Sequence, residues 1–485
     1  EGNGLSISTT DGFILLNDSM VWGELRLSSL SALSGPAIHV ESTTVFSTYV
    51  YICSNNSFST GILLYSSCFF QLSSQPGCLS LQSFSGSSGS AVDIIDTEIL
   101  MDEVVIIADS EEADWHAIFL RDSFISTRST TITANSIANS ILITEDVTLE
   151  SDTATITGQS SESHGVHIGS ATLNIGTLSL EGHGGGQIGS GVILCGTIRG
   201  DNITITGTSS NGIGIDIDSC ATYFSNSTHM EGSGSIGVRL QSTFNSSTNF
   251  IQGTGNANGE NSVGISLGDG DYTVDNMSLH GTCNSCGAGV RMTGSLFNSF
   301  SNSFALYASA DLSASADPIV LIIGCTIQTF ATFTVEVRGS GAGPAVLLGS
   351  DTNINATDSI TITNYANTQD GIKITERVGL ETGTMSLSSY NSQGFCVLLE
   401  DEYFVSVTDT VNINCIQNGE TAQGAIFERG TMYASNLNVS SEISFSSTFS
   451  AIRFGSGAFI STENSMSIVG DGGESGVIIQ SGSEI

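Results

Sequence analysis

The residues of this 485-residue chain that could do chemistry are few and spaced in suggestive ways. His280, Cys283 and Cys286 have a spacing compatible with metal ligation, with a fourth ligand still to be found on a neighbouring segment. A disulfide between Cys283 and Cys286, or two buried thiols, is the simpler expectation. Asp216 and Asp218 flank Ile217 and would share one outward side of a strand, as a catalytic pair, a cation site or a solvated acidic face would. The turns Gly268-Asp269-Gly270-Asp271 and Gly470-Asp471-Gly472-Gly473-Glu474 offer carboxylates and carbonyls that could hold calcium. No other cofactor is implied.

What would position these groups is a repeat. A small residue, an apolar residue, a variable residue and another apolar residue recur nineteen times, from Gly12-Phe13-Ile14-Leu15 through Ala91-Val92-Asp93-Ile94 to Gly476-Val477, at separations of 23 to 30 residues. The fourth position is apolar except at Glu428. A second apolar-x-apolar element follows most anchors, as in Leu178-Ser179-Leu180 and Ile203-Thr204-Ile205, and is closed by a glycine such as Gly158, Gly182, Gly207, Gly253 or Gly281, which tolerates the positive φ that a sharp corner can require. The period of two makes these elements strands, and strands so short bury their apolar side only by stacking coil upon coil. The expected fold is all-β: one continuous right-handed parallel β-helix over residues 1–485, about nineteen coils of about 25 residues. Val192, Leu194, Ile215 and Ile217 should face the core, and Ile193 and Asp216 should face outward.

Counting from the anchors also places the cysteines. Cys53 lies sixteen residues past Ala37 and Cys78 seventeen past Gly61; Cys195 and Cys220 are likewise one coil apart. Stacked residues approach the separation a disulfide needs, so bridges Cys53–Cys78 and Cys195–Cys220 are expected. Cys68, Cys325, Cys396 and Cys415 find no partner by this count. Disulfides imply an oxidising compartment. Sequons at Asn17, Asn55, Asn202, Asn226, Asn245, Asn276, Asn355 and Asn438 permit glycosylation, at the number that chance predicts for this composition.

Only 12% of residues are charged, and 48 acidic against 11 basic residues give a formal charge of −37. Such a surface repels phosphate backbones and anionic lipid, which disfavours nucleic-acid and membrane-surface partners. No apolar run approaches the length of a membrane span.

The repeat resembles the passengers of bacterial filamentous-haemagglutinin and autotransporter-type adhesins, in runs such as Gly207-Thr208-Ser209-Ser210-Asn211-Gly212-Ile213-Gly214-Ile215. That resemblance implies a surface location and an adhesive or filament role, with a surface glycan or protein as ligand. Gly182-His183-Gly184 and Asn367-Thr368-Gln369-Asp370-Gly371 look like two polygalacturonase signatures, which implies a carbohydrate-active enzyme as the alternative. In that family the Asn-Thr-Asp motif comes first and the two lie close in space. Here the order is reversed and seven to eight coils intervene, on the order of 35 Å at strand spacing, so the two could not flank one glycosidic bond. Thr-x-Thr at Thr131, Thr155, Thr204 and Thr361 is similar to ice-binding solenoids, which need such pairs on consecutive coils; scattered copies are explained by strand propensity.

The sequence therefore reads as an extracellular or cell-surface structural or adhesive rod, not an enzyme. The first coil opens in mid-coil at Leu5-Ser6-Ile7 and the last anchor is Gly476, so the ends are expected to stack head to tail, either by self-association of identical subunits into a filament or within a longer parent chain.

Overall fold

The computed structural model describes the chain except residues 1–3, 11, 31–34, 57–58, 73–75, 86–88, 112–114, 187, 257–258, 285, 313–316, 391, 418–420, 444–448 and 473–474. Forty-two strands and no helix occur among the described residues. They form two compact units, Glu1–Gly234 and Ser235–Ile485, and the fold of both is a parallel β-solenoid. The turns number about 16, of about 26 residues each. That is slightly fewer than the nineteen coils expected.

In the first unit the anchor strands stack from Ile14–Asn17 through Ile38–Glu41, Ile62–Tyr65, Val92–Ile95, Ile118–Arg121, Ile141–Thr144, Val166–Ile168 and Val192–Leu194 to Ile213–Ile217. In the second they run from Ile236–Leu240 through Asn367–Ile374 and Gln423–Phe427 to Ser475–Ile479. The β-branched residues of this ladder stack directly on one another: Ile38, Ile62, Val92, Ile118, Ile141, Val166, Val192 and Ile215 are all fully buried. Each buried side chain of this size contributes roughly 1.5–3 kcal/mol. Val192, Leu194, Ile215 and Ile217 are inward as expected.

Three anchors lie one residue from where the sequence pattern put them. Ile14, Val320 and Phe427 face the core, and Leu15, Leu321 and Ile426 take the outward position in register with His39, Leu347 and Leu398. A slip of one residue reverses every side chain. At the third of these coils it also removes the exception at Glu428, since the fourth position becomes buried Phe427.

The corners differ from expectation too. Gly158, Gly182, Gly207, Gly253 and Gly281 are not at positive φ. A Cβ at Gly182 would overlap the carbonyl oxygen of Gly191, and the same holds for Gly158 against Gly165, Gly207 against Gly214 and Gly281 against Gly289. These pairs form seams where the strand that ends a coil passes the next anchor backbone to backbone. Positive φ falls instead one corner later, on Ser42, Ser66, Asp96 and Asp122. Each is followed by a buried hydroxyl, Thr43, Ser67, Thr97 or Ser123. The Ser67 hydroxyl donates to the Tyr65 carbonyl (2.9 Å) and accepts from the Thr43 amide (3.3 Å), tying adjacent coils together inside the corner.

Candidate functional site

The cysteines divide into bridges and isolated thiols. Cys195 and Cys220 are joined, with Cα atoms 4.9 Å apart. Cys53 and Cys78 are not: both are free, and the register sets Cys53 beside Gln82, and Cys78 beside Tyr49. The strand Tyr49–Asn56 begins twelve residues past Ala37, whereas Cys78–Ser85 begins seventeen past Gly61. Five extra residues at the corner before the second strand displace Cys78 by four positions, about 13 Å along a strand. A second bridge, Cys396–Cys415, has Cα atoms 5.7 Å apart. The anchor count missed it because the partners lie nineteen residues apart, on two sides of the solenoid rather than on one stacked column. Cys283 is buried and disulfide-bonded, while the side chain of Cys286, its expected partner, lies outside the described residues. Cys325 is a buried thiol in the corner column between Ser295 and Thr352 and donates to the Ile323 carbonyl. Burial and nearby carboxylates push the Cys68 and Cys78 thiols upward, away from nucleophilic use.

The residues read as metal or acid–base candidates are dispersed. His280 is stacked between Phe250 (4.8 Å) and Tyr307 (4.6 Å), an aromatic column rather than a ligand set. Asp269 and Asp271 are exposed, Glu474 lies outside the described residues, and no cluster of His, Cys, Asp and Glu suited to a metal occurs among the described residues. His183 lies in a strand and bonds Thr208 (2.6 Å) and Glu181 (3.1 Å). It belongs to the first unit and Asp370 to the second. Asp218 leaves the strand and caps its own turn, accepting from the Ser219 amide at 2.6 Å. Asp216 lies on the outward side, as read, but is buried rather than solvated. Its carboxylate faces His164 and His167, whose ring centroids are 6.0 Å apart.

The structure does assemble one groove, in the second unit, from residues the sequence did not single out together. Two adjoining cavities of about 750 and about 460 Å³ share Phe395 and Gln423. The larger is lined by the amides of Asn367, Gln369, Gln393 and Gln423, by Phe395 and Phe449, and by one carboxylate, Asp370. The Gln393 amide donates to Asn367 (3.4 Å), and Asp370 accepts from the Phe395 backbone amide (3.4 Å). Burial pushes the Asp370 carboxyl above the usual range, opposed by that amide and by Lys373. The smaller cavity is lined by Glu400, Asp401, Glu428, Arg429 and Arg453. Here every acid has a basic partner one coil away: Lys373–Glu400 at 2.8 Å, Arg429–Asp401 at 3.1 Å, and Arg453–Glu428.

The floor of the groove is held from beneath. Buried Gln417, with its amide oriented to satisfy both ends, donates to the carbonyls of Gln423 (2.6 Å) and Gly394 (3.2 Å) and accepts from the Cys396 amide (2.8 Å). The Cys396–Cys415 bridge ties the strand Phe395–Leu399 to the strand that ends in Gln417, so the floor on either side of Gly394 is fixed before any ligand arrives.

No family model, curated protein or solved structure matches this chain. The likeness to adhesin passengers therefore remains one of repeat style, and the shared ground is the parallel β-solenoid. The bridges suit an oxidising environment. Of the sequon asparagines, all are exposed except Asn276, which is half-buried. No helix is long and apolar enough to cross a membrane among the described residues.

Proposed function

We propose that this protein is an extracellular adhesive solenoid whose second unit binds a glycan segment in the groove over Asn367, Gln393 and Gln423. The observation that carries this reading is the lining: side-chain amides in fixed rows beside aromatic rings, on a floor pinned by Gln417. Amides both donate to and accept from sugar hydroxyls, and an aromatic face covers the apolar side of a sugar ring. Binding is favoured over hydrolysis because Asp370 is the single carboxylate of the amide-lined cavity, while the acids of its neighbour are held by ion pairs. Glycoside hydrolysis needs two free carboxyls across one bond.

The test is a panel of immobilised neutral and uronate oligosaccharides, read for binding and for released reducing ends. Saturable binding without product is expected, weakened at least tenfold by Asn367→Ala with Gln393→Ala. Product formation abolished by Asp370→Asn would establish the enzymatic alternative instead, and absence of any glycan binding would refute the reading.

A further inference from the structure

Four consecutive coils of the first unit, carried by Phe124–Ser136, Thr148–Ser160, Thr172–Gly184 and Thr197–Ser209, pair in constant register from Ser129 onward. Alternate residues turn outward, and Ile132, Ile156, Leu180 and Ile205 beneath them are buried. The outward residues form a grid. Its rows begin Ser129-x-Thr131-x-Thr133 and Thr153-x-Thr155-x-Thr157, continue with Thr177-x-Ser179-x-Glu181, and end with Asn202-x-Thr204-x-Thr206. The spacing is about 4.8 Å between rows and about 6.6 Å along them. The Thr-x-Thr copies at Thr131 and Thr155 are thus on consecutive coils in direct register, not scattered.

Strand propensity alone does not account for this patch, because it is bounded. The same two columns hold Tyr51 and Cys53, Ser80 and Gln82, and Val105 and Ile107 on the coils before it, and His229 and Glu231 on the coil after it. Nor do the hydroxyls serve the fold. Among the described residues, those of Thr131, Thr133, Thr155, Thr157, Thr204 and Thr206 make no hydrogen bond within the protein, unlike the buried hydroxyls of the corners.

We propose that this face adsorbs to ice. A two-dimensional grid of mostly hydroxyl groups is best met by a lattice, and the spacing between rows is close to the shorter oxygen repeat of an ice prism face. Threonine suits the task because its β-branch holds the hydroxyl in few rotamers, so little entropy is lost on matching a fixed lattice. Its methyl group forces the water around it to order without bonding it. Lysine and arginine, whose hydration shells would break such order, are absent from the four rows. Glu181 is the flaw in the grid, and it is held by His183 at 3.1 Å.

The experiment freezes a dilute solution of the full chain slowly and measures its partition into the ice, against serum albumin as the excluded control. Wild type should be enriched several-fold over albumin. Thr155→Lys, which raises a charge out of the plane, should fall to the albumin level, and Thr155→Val, which exchanges the hydroxyl for a methyl group, should fall between. Glu181→Thr should partition more strongly than wild type. Unchanged circular dichroism verifies that each variant is folded. Exclusion of wild type from ice, or full retention by Thr155→Lys, would overturn the proposal. So would adsorption to crystalline cellulose without adsorption to ice, which would assign the face to a glycan.

Discussion

The outward row of the anchor strands solves the problem of charge differently in the two units. In the first it carries Asp93, His167 and Asp216, with His116 and His164 from the adjoining corners, and burial keeps the imidazoles uncharged. In the second it carries Arg239, Arg291, Lys373 and Arg453, and the last two are each paired with a carboxylate one coil away. The first row is thus kept low in charge by burial, and Lys373 and Arg453 of the second by ion pairing. The same scaffold position accepts either, because it stands on the side of the strand away from the core.

The most severe way to break that comparison is to put a carboxylate on the wrong side. Asp216 is tolerated, but Ile215→Asp places an unpaired carboxylate in a column with no polar partner, at a cost of several kcal/mol. Loss of the first unit's cooperative unfolding in urea is the expected outcome; a variant as stable as wild type would mean the inward column is not continuous. A smaller effect should follow Arg453→Met, which strands Glu428. Both side chains are about a third exposed, so the loss should be about 1 kcal/mol or less. The double variant with Glu428→Gln should lose less than the single one, since no unpaired charge is left.

The smallest effect concerns pH. Burial lowers the His116, His164 and His167 pKa values below the ordinary imidazole value, and His167 lowers the other two further; Asp216 opposes this at His164 and His167. Below the ordinary value the unfolded chain binds protons that the folded chain does not, so these histidines cost stability as pH falls. Asp93 acts the opposite way: burial raises its carboxyl to about 6, against the Ser90 hydrogen bond and Arg121, so its folded form gains a proton first and stability rises as pH falls through that value. Replacing all three histidines by Gln should therefore leave a protein that loses less stability than wild type between neutral pH and about 5. Urea midpoints of the two proteins across that range decide it, and parallel curves would show that the histidines are not held neutral by the fold.

The inward columns were legible because period-two alternation is a property of every strand and the anchors recur often enough to average out a single misplacement. Ile14, Val320 and Phe427 show the limit: where apolar residues run consecutively, as in Pro318-Ile319-Val320-Leu321-Ile322, periodicity does not say which is inward, and only pairing with Val346 decides. The glycines were located correctly but for the wrong reason, since close backbone approach and left-handed conformation leave the same residue in a sequence. The groove was not legible at all. Asn367 and Asp370 drew notice as part of a motif, yet their neighbours Gln393, Gln423 and Phe449 belong to other coils and mark no repeat.

What the sequence determined by itself is the solenoid and the two sides of its strands, because both follow from local periodicity repeated many times. Tertiary structure alone decided which outward residues become neighbours. That depends on the number of residues spent at each corner, and five extra at one corner were enough to part Cys53 from Cys78. The same counting of corners aligned Thr131 with Thr155 and set Gln417 beneath Gln423. Chemistry on a solenoid is written across coils, while periodicity is written along them.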